Sequence, residues 1–227
     1  MRCAKARTDK QVKVTLPGPM TVADSVFDEA GGRSDADFAA MYADLLNREA
    51  RALSDAGADI IQIDEPCFNI YTDEVKDWGM EILERAFDGV TAKRAVHICY
   101  GYGTEVVLKW KDANTDWSHY DATLPLIAAS SIDQISIETA ASGVDLSVLD
   151  CLAGKDVMVG VIDVGTEEVE SAQVVADRIR HAMEHVSAEH LIACTDCGMV
   201  PRSRRAAEGK MNALALGAAL VNRELGG

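Results

Sequence analysis

The 227-residue chain lacks any apolar run approaching the roughly 20 residues that cross a bilayer, and Met1 to Thr15 is too charged for the apolar stretch of a signal peptide. It reads as a soluble, cytoplasmic chain with no membrane partner. Basic residues are scarce: 22 Lys and Arg face 37 Asp and Glu, for a formal charge of −15, and no basic cluster is large enough to reverse that field locally. Such a surface repels polyphosphate backbones, so nucleic acid is a poor partner. A disulfide framework is missing as well. Six cysteines at irregular spacing read as thiols, ligands or packed core, because stapled frameworks belong to small secreted domains. Low-complexity tracts and linkers are absent, and the loosest stretches are Glu29–Asp35 and Gly101–Asp121. Nor does a glycine-rich phosphate turn follow the first apolar run. Pro17-Gly18-Pro19 stands there instead, and two prolines remove the backbone donors that such a turn uses.

What is present is a steady alternation of short aliphatic runs and longer helical patterns. The runs are Val12–Leu16, Asp59–Ile63, Ala95–Cys99, Ile132–Ile137, Val157–Ile162 and His190–Cys194. Between the first two, Phe38, Met41, Tyr42, Leu45, Leu46 and Leu53 fall at helical spacing, Ser34 and Asp37 form a capping pair, and Gly57 closes the helix. Asp73–Phe87, Ser171–Val186 and Arg205–Leu225 repeat the pattern, and Leu124–Ala129 and Leu146–Leu152 are shorter helices. Near-continuous apolar strands alternating with helices predict a parallel sheet covered on both faces. Strand starts lie about 25 to 47 residues apart, which is βαβ spacing. The predicted fold is therefore α/β, of the (β/α)8 TIM-barrel type, with about six of the eight units present.

Active sites of such barrels gather at the C-terminal strand ends. Here those ends carry Asp64-Glu65, His97-Ile98-Cys99, Glu138, Asp163 and Cys194-Thr195-Asp196-Cys197. His97 and Cys99 are two apart, so on a strand they share a face. With Glu138 and Cys197 from later strand ends they make a Cys2HisGlu set, whose sulfur and nitrogen donors favour Zn2+ over Mg2+ or Ca2+. A divalent ion among two thiolates and a carboxylate is a poor Lewis acid for hydrolysis but well suited to holding an incoming thiol as thiolate. Alternatives stand beside each motif. A His-x-Cys on a buried strand is more often packing, Cys194-x-x-Cys197 could be a redox pair or half a structural site, and Asp64-Glu65 could be a solvated loop. Cys3, Cys67 and Cys151 read as thiols or core. His119, His181, His185 and His190 read as ordinary surface or helix residues, and Trp78, Trp110 and Trp117 are undecided between packing and lining a mouth.

Together the strand-end motifs resemble the catalytic barrel of the cobalamin-independent methionine synthase family. They are Leu16-Pro17-Gly18-Pro19-Met20-Thr21, Ile61-Gln62-Ile63-Asp64-Glu65-Pro66, His97-Ile98-Cys99-Tyr100, Ile135-Ser136-Ile137-Glu138 and Asp196-Cys197-Gly198. The likeness runs from about Val12 to the C-terminus. It implies that His97, Cys99, Glu138 and Cys197 are zinc ligands and that Asp64 holds the amino group of homocysteine, with Glu65 beside it on the substrate. By the same analogy zinc activates homocysteine as thiolate, the sulfur takes a methyl group in line, and pre-positioning supplies much of the acceleration.

Two positions depart from the family pattern. Thr21-Val22-Ala23-Asp24-Ser25-Val26 contains no folate-stacking tryptophan, and Gly165 stands where a histidine follows the strand-five aspartate. The signatures His97 to Gly103, Asp73 to Gly79 and Cys194 to Met199 look like the short "core" methionine synthase branch, which lacks the folate-binding N-terminal domain. That branch is thought to draw its methyl group from a donor such as a methylated corrinoid.

The sequence thus predicts a zinc-dependent homocysteine S-methyltransferase forming methionine, with methyltetrahydrofolate or a methylcobalamin or corrinoid protein as donor. The alternatives are alkyl transfer to another thiol such as coenzyme M, and a zinc-binding but inactive fragment or subunit. Residues 1–227 are expected to form a single catalytic barrel domain lacking its first two βα units, with self-association through the open side.

Overall fold

The six apolar runs all become strands because β-branched and aliphatic residues recur in them; the middle four are mostly buried, whereas the first and last keep exposed positions at Thr15 and Ile192. They are β1 (Lys13–Pro17), β2 (Ile60–Asp64), β3 (Lys93–Ile98), β4 (Gln134–Ile137), β5 (Asp156–Ile162) and β6 (Leu191–Thr195). Their order in a six-stranded sheet follows the sequence. The computed structural model describes residues 1–29, 31–102, 109–111, 113–114 and 116–226. Six α-helices of seven residues or more lie between and after the strands among these residues: α1 (Pro19–Ser25), α2 (Asp35–Asp55), α3 (Met80–Ala86), α4 (His119–Ala128), α5 (Ala172–Ala182) and α6 (Arg204–Glu224); the predicted helix Leu146–Leu152 is a 3-10 helix. No helix among the described residues is long and apolar enough to cross a membrane. The chain divides into two compact units, residues 1–98 with 125–135, and residues 99–124 with 136–227.

In the first unit β1, β2 and β3 are parallel, and their register sets Pro17 beside Asp64 and Asp64 beside His97. Helix α2 begins with the predicted capping box. The Ser34 side chain accepts from the Asp37 N–H while the Asp37 carboxylate accepts from the Ser34 N–H, and Gly57 ends the helix at φ +96°. The face that α2 buries differs from the expected one. Ala39, Ala43 and Ala50 are fully covered, whereas Met41 and Leu45 are 41% and 50% exposed. Small side chains let the helix backbone lie close to its support, and the larger residues flank the contact. The predicted helix Asp73–Phe87 is interrupted by a π-helical turn at Val75–Gly79 before α3 resumes.

Glu65, just beyond β2, closes this unit. Its buried carboxylate accepts from Met20 N at 3.0 Å, Thr21 N at 2.9 Å and Thr21 Oγ1 at 2.7 Å, so it serves the orphan donors in the first turn of α1. Burial outweighs those hydrogen bonds and pushes the carboxyl up to about 7.

In the second unit β5 and β6 are parallel, with a bulge between Gly160 and Ile162. Helices α5 and α6 are capped by the Ser171 and Ser203 side chains. Lys210 of α6 is wholly buried and reaches the Glu168 carbonyl and, at 3.0 Å, Glu170 Oε2. The loop after β6 is tied to the loop after β4 by one carboxylate. Asp196 Oδ1 accepts from Thr139 N and Ala140 N, each at 3.0 Å, and Oδ2 accepts from Ala141 N at 2.8 Å. Gly160 makes room for it: a Cβ there would stand 2.1 Å from Asp196 Oδ1 and 2.9 Å from Ile137 O.

Gly160→Ala therefore collides with a backbone carbonyl and a fully buried carboxylate, and urea denaturation is expected to show a loss of about 1–3 kcal/mol. Glu65 has a raised folded-state value, so between about pH 5 and 7 it keeps its proton when folded and loses it when unfolded. Its contribution to stability is full at low pH and declines as pH rises through about 7. Glu65→Gln is expected to flatten that part of the stability–pH curve, measured by chemical denaturation at pH 5, 6, 7 and 8; an unchanged slope would contradict the assignment.

Candidate metal centre

His97 is the second-last residue of β3, and Cys99 follows the strand by one residue, both buried. Cys197 is delivered by the turn after β6 and is half-buried. The two thiols stand with Sγ atoms 3.9 Å apart, far longer than a disulfide of about 2.05 Å. A ligand atom of His97, of Cys99 and of Cys197 all lie within 4.8 Å of one another. The Cys99 thiol is driven well above its ordinary range, first by its hydrogen bond to Cys197, then by burial and by the charges of Cys197 and Glu138. Two adjacent thiols, one of them buried, resist joint ionisation; a bound cation would reverse that preference and deprotonate both. Two sulfurs and an imidazole suit a borderline-soft transition ion, so the donor set fits a metal.

Glu138 is fully buried in the same unit as the thiols but is not one of the grouped donors. Its Oε1 lies 2.5 Å from Lys111 Nζ, its Oε2 accepts from Tyr100 N at 3.1 Å, and its own N–H donates to Tyr120 Oη at 3.1 Å. Lys111 is itself buried, with its ammonium 3.4 Å from the centroid of the Tyr102 ring. This lysine escaped the sequence reading. It lies in the loosest stretch of the chain, where a single Lys between Trp110 and Asp112 carries no pattern. The same stretch answers part of the tryptophan question, because Trp110 and Trp117 pack around Tyr100, with centroids 6.1 and 4.7 Å away. Trp78 instead lines a cavity with Met20, Asp24 and Tyr71. Gly103, the last residue of the strand-three signature, lies outside the described residues.

Asp196 stands between these groups in sequence and holds residues 139 to 141, which directly follow Glu138. Burial first, then the nearby charge of Glu138, pushes its carboxyl up to about 7 against the pull of three backbone donors. Asp64 is half-buried, accepts from Gln62 Nε2 at 2.8 Å and is in register with His97 on the neighbouring strand. Glu65, its neighbour, turns its carboxylate to Met20 and Thr21. Cys194 faces Ser136 at 4.0 Å and is not grouped with Cys197. Gly165 N donates to Asp163 Oδ1 at 2.6 Å.

Three comparisons bear on this arrangement. The sequence profile of the family described as cobalamin-independent synthase, catalytic domain, matches residues 1–219. The methionine synthase of Thermococcus kodakarensis is 33% identical over 226 residues, which are 99% of this chain and 62% of that protein. The methionine synthase of Saccharolobus solfataricus is 32% identical over 218 residues, 94% of this chain and 59% of that protein. The chain thus spans about three-fifths of the length of these curated relatives. A solved B12-independent methionine synthase from Shewanella sp. W3-18-1, in complex with selenomethionine, superposes with a TM-score of 0.95 at 44% identity, covering 99% of this chain and 66% of that one. A methyltransferase from Methanosarcina mazei, 16% identical with a TM-score of 0.65, shares the fold. The α/β fold is accordingly of the (β/α)8 type, represented here by six strands. With its profile match across nearly the whole sequence and its thiol–imidazole cluster formed, the chain belongs to the cobalamin-independent methionine synthase family, through the catalytic domain of that family.

Proposed function

We propose that this chain is a zinc-dependent S-methyltransferase that moves a methyl group to the thiol of homocysteine and yields methionine. The observation that carries the proposal is the grouping of His97, Cys99 and Cys197 in a chain 44% identical to a B12-independent methionine synthase whose structure holds selenomethionine, the selenium analogue of the product. Bound zinc would supply one thing, a lowered thiol pKa that keeps the substrate sulfur as an electron-rich thiolate at neutral pH.

The protein's residues take the other roles. His97, Cys99 and Cys197 would hold the metal, with Glu138 as the fourth ligand. Asp196 fixes the backbone that carries Glu138. Asp64 receives the ammonium group of homocysteine as a charge-assisted acceptor. Glu65 acts on the substrate side by setting the Gly18–Thr21 turn. On this reading residues 1–227 work as one catalytic domain in the cytoplasm, where six thiols stay reduced. The methyl donor is a methylated corrinoid rather than a folate, since no stacking tryptophan follows Gly18-Pro19-Met20-Thr21 and a polyanionic tail would meet a chain of formal charge −15.

Metal analysis of the purified chain should find one zinc at the thiol site, lost in Cys99→Ser and in Cys197→Ser and retained in Cys194→Ser; equal zinc in all three variants would end the assignment. Methionine formation should proceed from methylcobalamin and not from methyltetrahydrofolate polyglutamate, and efficient use of the folate would refute the donor. In the same preparation Asp64→Asn should weaken calorimetric binding of homocysteine about tenfold or more, the value of a charge-assisted hydrogen bond. Binding of 4-mercaptobutyrate, which has no amino group, should be unaffected.

A further inference from the structure

Away from the thiols, the end of α5 gathers a second set of metal-binding side chains. The chain reads His181-Ala182-Met183-Glu184-His185. One ligand atom from each of His181, Glu184 and His185 falls within 4.8 Å of the others. Two features of the local backbone bring them together. Histidines four apart share a helix face, and the chain tightens as α5 ends. Met183 N and Val186 N bond the carbonyls of Ile179 and Ala182, both at 3.0 Å, while Glu184 N and His185 N bond those of His181 and Ala182, both at 3.1 Å. Meanwhile Val175, Ala176, Ile179 and Ala182 bury the opposite face, so α5 itself is firmly seated.

We propose that His181, Glu184 and His185 form a second, independent site for a divalent transition-metal ion on the surface of the chain. The two imidazole rings lie 6.3 Å apart between centroids. His181 and Glu184 are exposed, so their rotamers can close the remaining distance to the roughly 2.0–2.2 Å bonds that zinc makes with nitrogen and carboxylate oxygen. His185 is already oriented: its Nδ1 lies 2.9 Å from Asp150 Oδ1. A carboxylate that accepts from Nδ1 leaves Nε2 as the free lone pair and raises its basicity, the usual outer partner of a metal-bound histidine.

The field favours a cation. Three acidic residues, Asp145, Asp150 and Glu184, surround the two rings, with Asp145 in electrostatic reach of both. The carbonyl end of the α5 dipole points the same way. Two imidazoles and one carboxylate select Zn2+, Ni2+ or Cu2+ over Mg2+ and Ca2+, which take oxygen ligands. Without a thiolate this site is weaker than the Cys99–Cys197 centre and fills after it. The spacing His-x-x-Glu-His is that of one class of zinc hydrolases, but exposed ligands on a helix end, with the Glu among them, suit capture of an ion and not activation of water against a substrate.

Nickel is the probe of choice, because it prefers imidazole and can be measured on the full chain already loaded with zinc. Equilibrium dialysis against Ni2+ should give about one ion per chain in the micromolar range. His181→Asn and His185→Asn should each weaken it about tenfold or more, and Asp150→Asn should weaken it by about tenfold, as loss of an outer partner does. Thiol-bound zinc and circular dichroism should be unchanged in all three, which separates this site from the proposed catalytic one. Nickel binding that survives either histidine substitution, or that requires millimolar metal in the unaltered chain, overturns the site; an Asp150→Asn variant that binds as tightly as the original removes Asp150 from it.

Discussion

The Asp196 carboxylate, buried and shared among the N–H groups of Thr139, Ala140 and Ala141, is the constraint on which the rest of the candidate metal centre depends. It joins two loops that follow different strands. One follows Glu138, and the other contains Cys197. Each of the three bonds satisfies a half-buried backbone donor, and a net hydrogen bond of this kind is worth about 0.5–1.5 kcal/mol, more when the acceptor is charged. The chain accommodates this carboxylate by giving up a side chain at Gly160, so the strand beneath is shaped by the loop above it. Removing either element loosens both loops, the one that follows Glu138 and the one that contains Cys197.

Charge at the centre is arranged on the same principle. Glu138, Asp196, Cys99 and Cys197 are acids in or near one buried region, and Lys111 is the base that meets Glu138. Breaking a buried ion pair from one side typically costs about 3–5 kcal/mol, because the remaining charge is left in low dielectric. Lys111 therefore pairs with Glu138 and holds it in place, while the Tyr102 ring also meets the ammonium. The Cys99 thiol responds to the same surroundings by rising well above its ordinary range, first through its hydrogen bond to Cys197 and then through burial.

Much of this was legible in the sequence. The six strands were, because apolar β-branched runs of this length have few other solutions once helices separate them. The cap of α2 was also legible, because Ser34 and Asp37 stand at the spacing that capping needs. His97 and Cys99 were legible as a pair because a period of two puts both on one face. Other features were not. Lys111 lies in a stretch without periodicity, so nothing in its neighbours marks it as buried. Glu65 looks like a solvent or substrate carboxylate until Gly18 and the first turn of α1 are seen folded over it. His181 and His185 read as plain helix residues, and only the turn that follows Ala182, together with Asp150 from a distant segment, makes them a set.

By itself, then, the sequence determined the alternation of strand and helix, the family, and the residue types that gather at strand ends, since these follow from local periodicity and covalent spacing. Only the tertiary structure decided which donors meet. Cys99 and Cys197 are 98 residues apart in the chain and 3.9 Å apart in space. Whether a carboxylate between such groups faces a metal, a lysine or three backbone amides depends on burial and on long-range partners, which no spacing along the chain encodes.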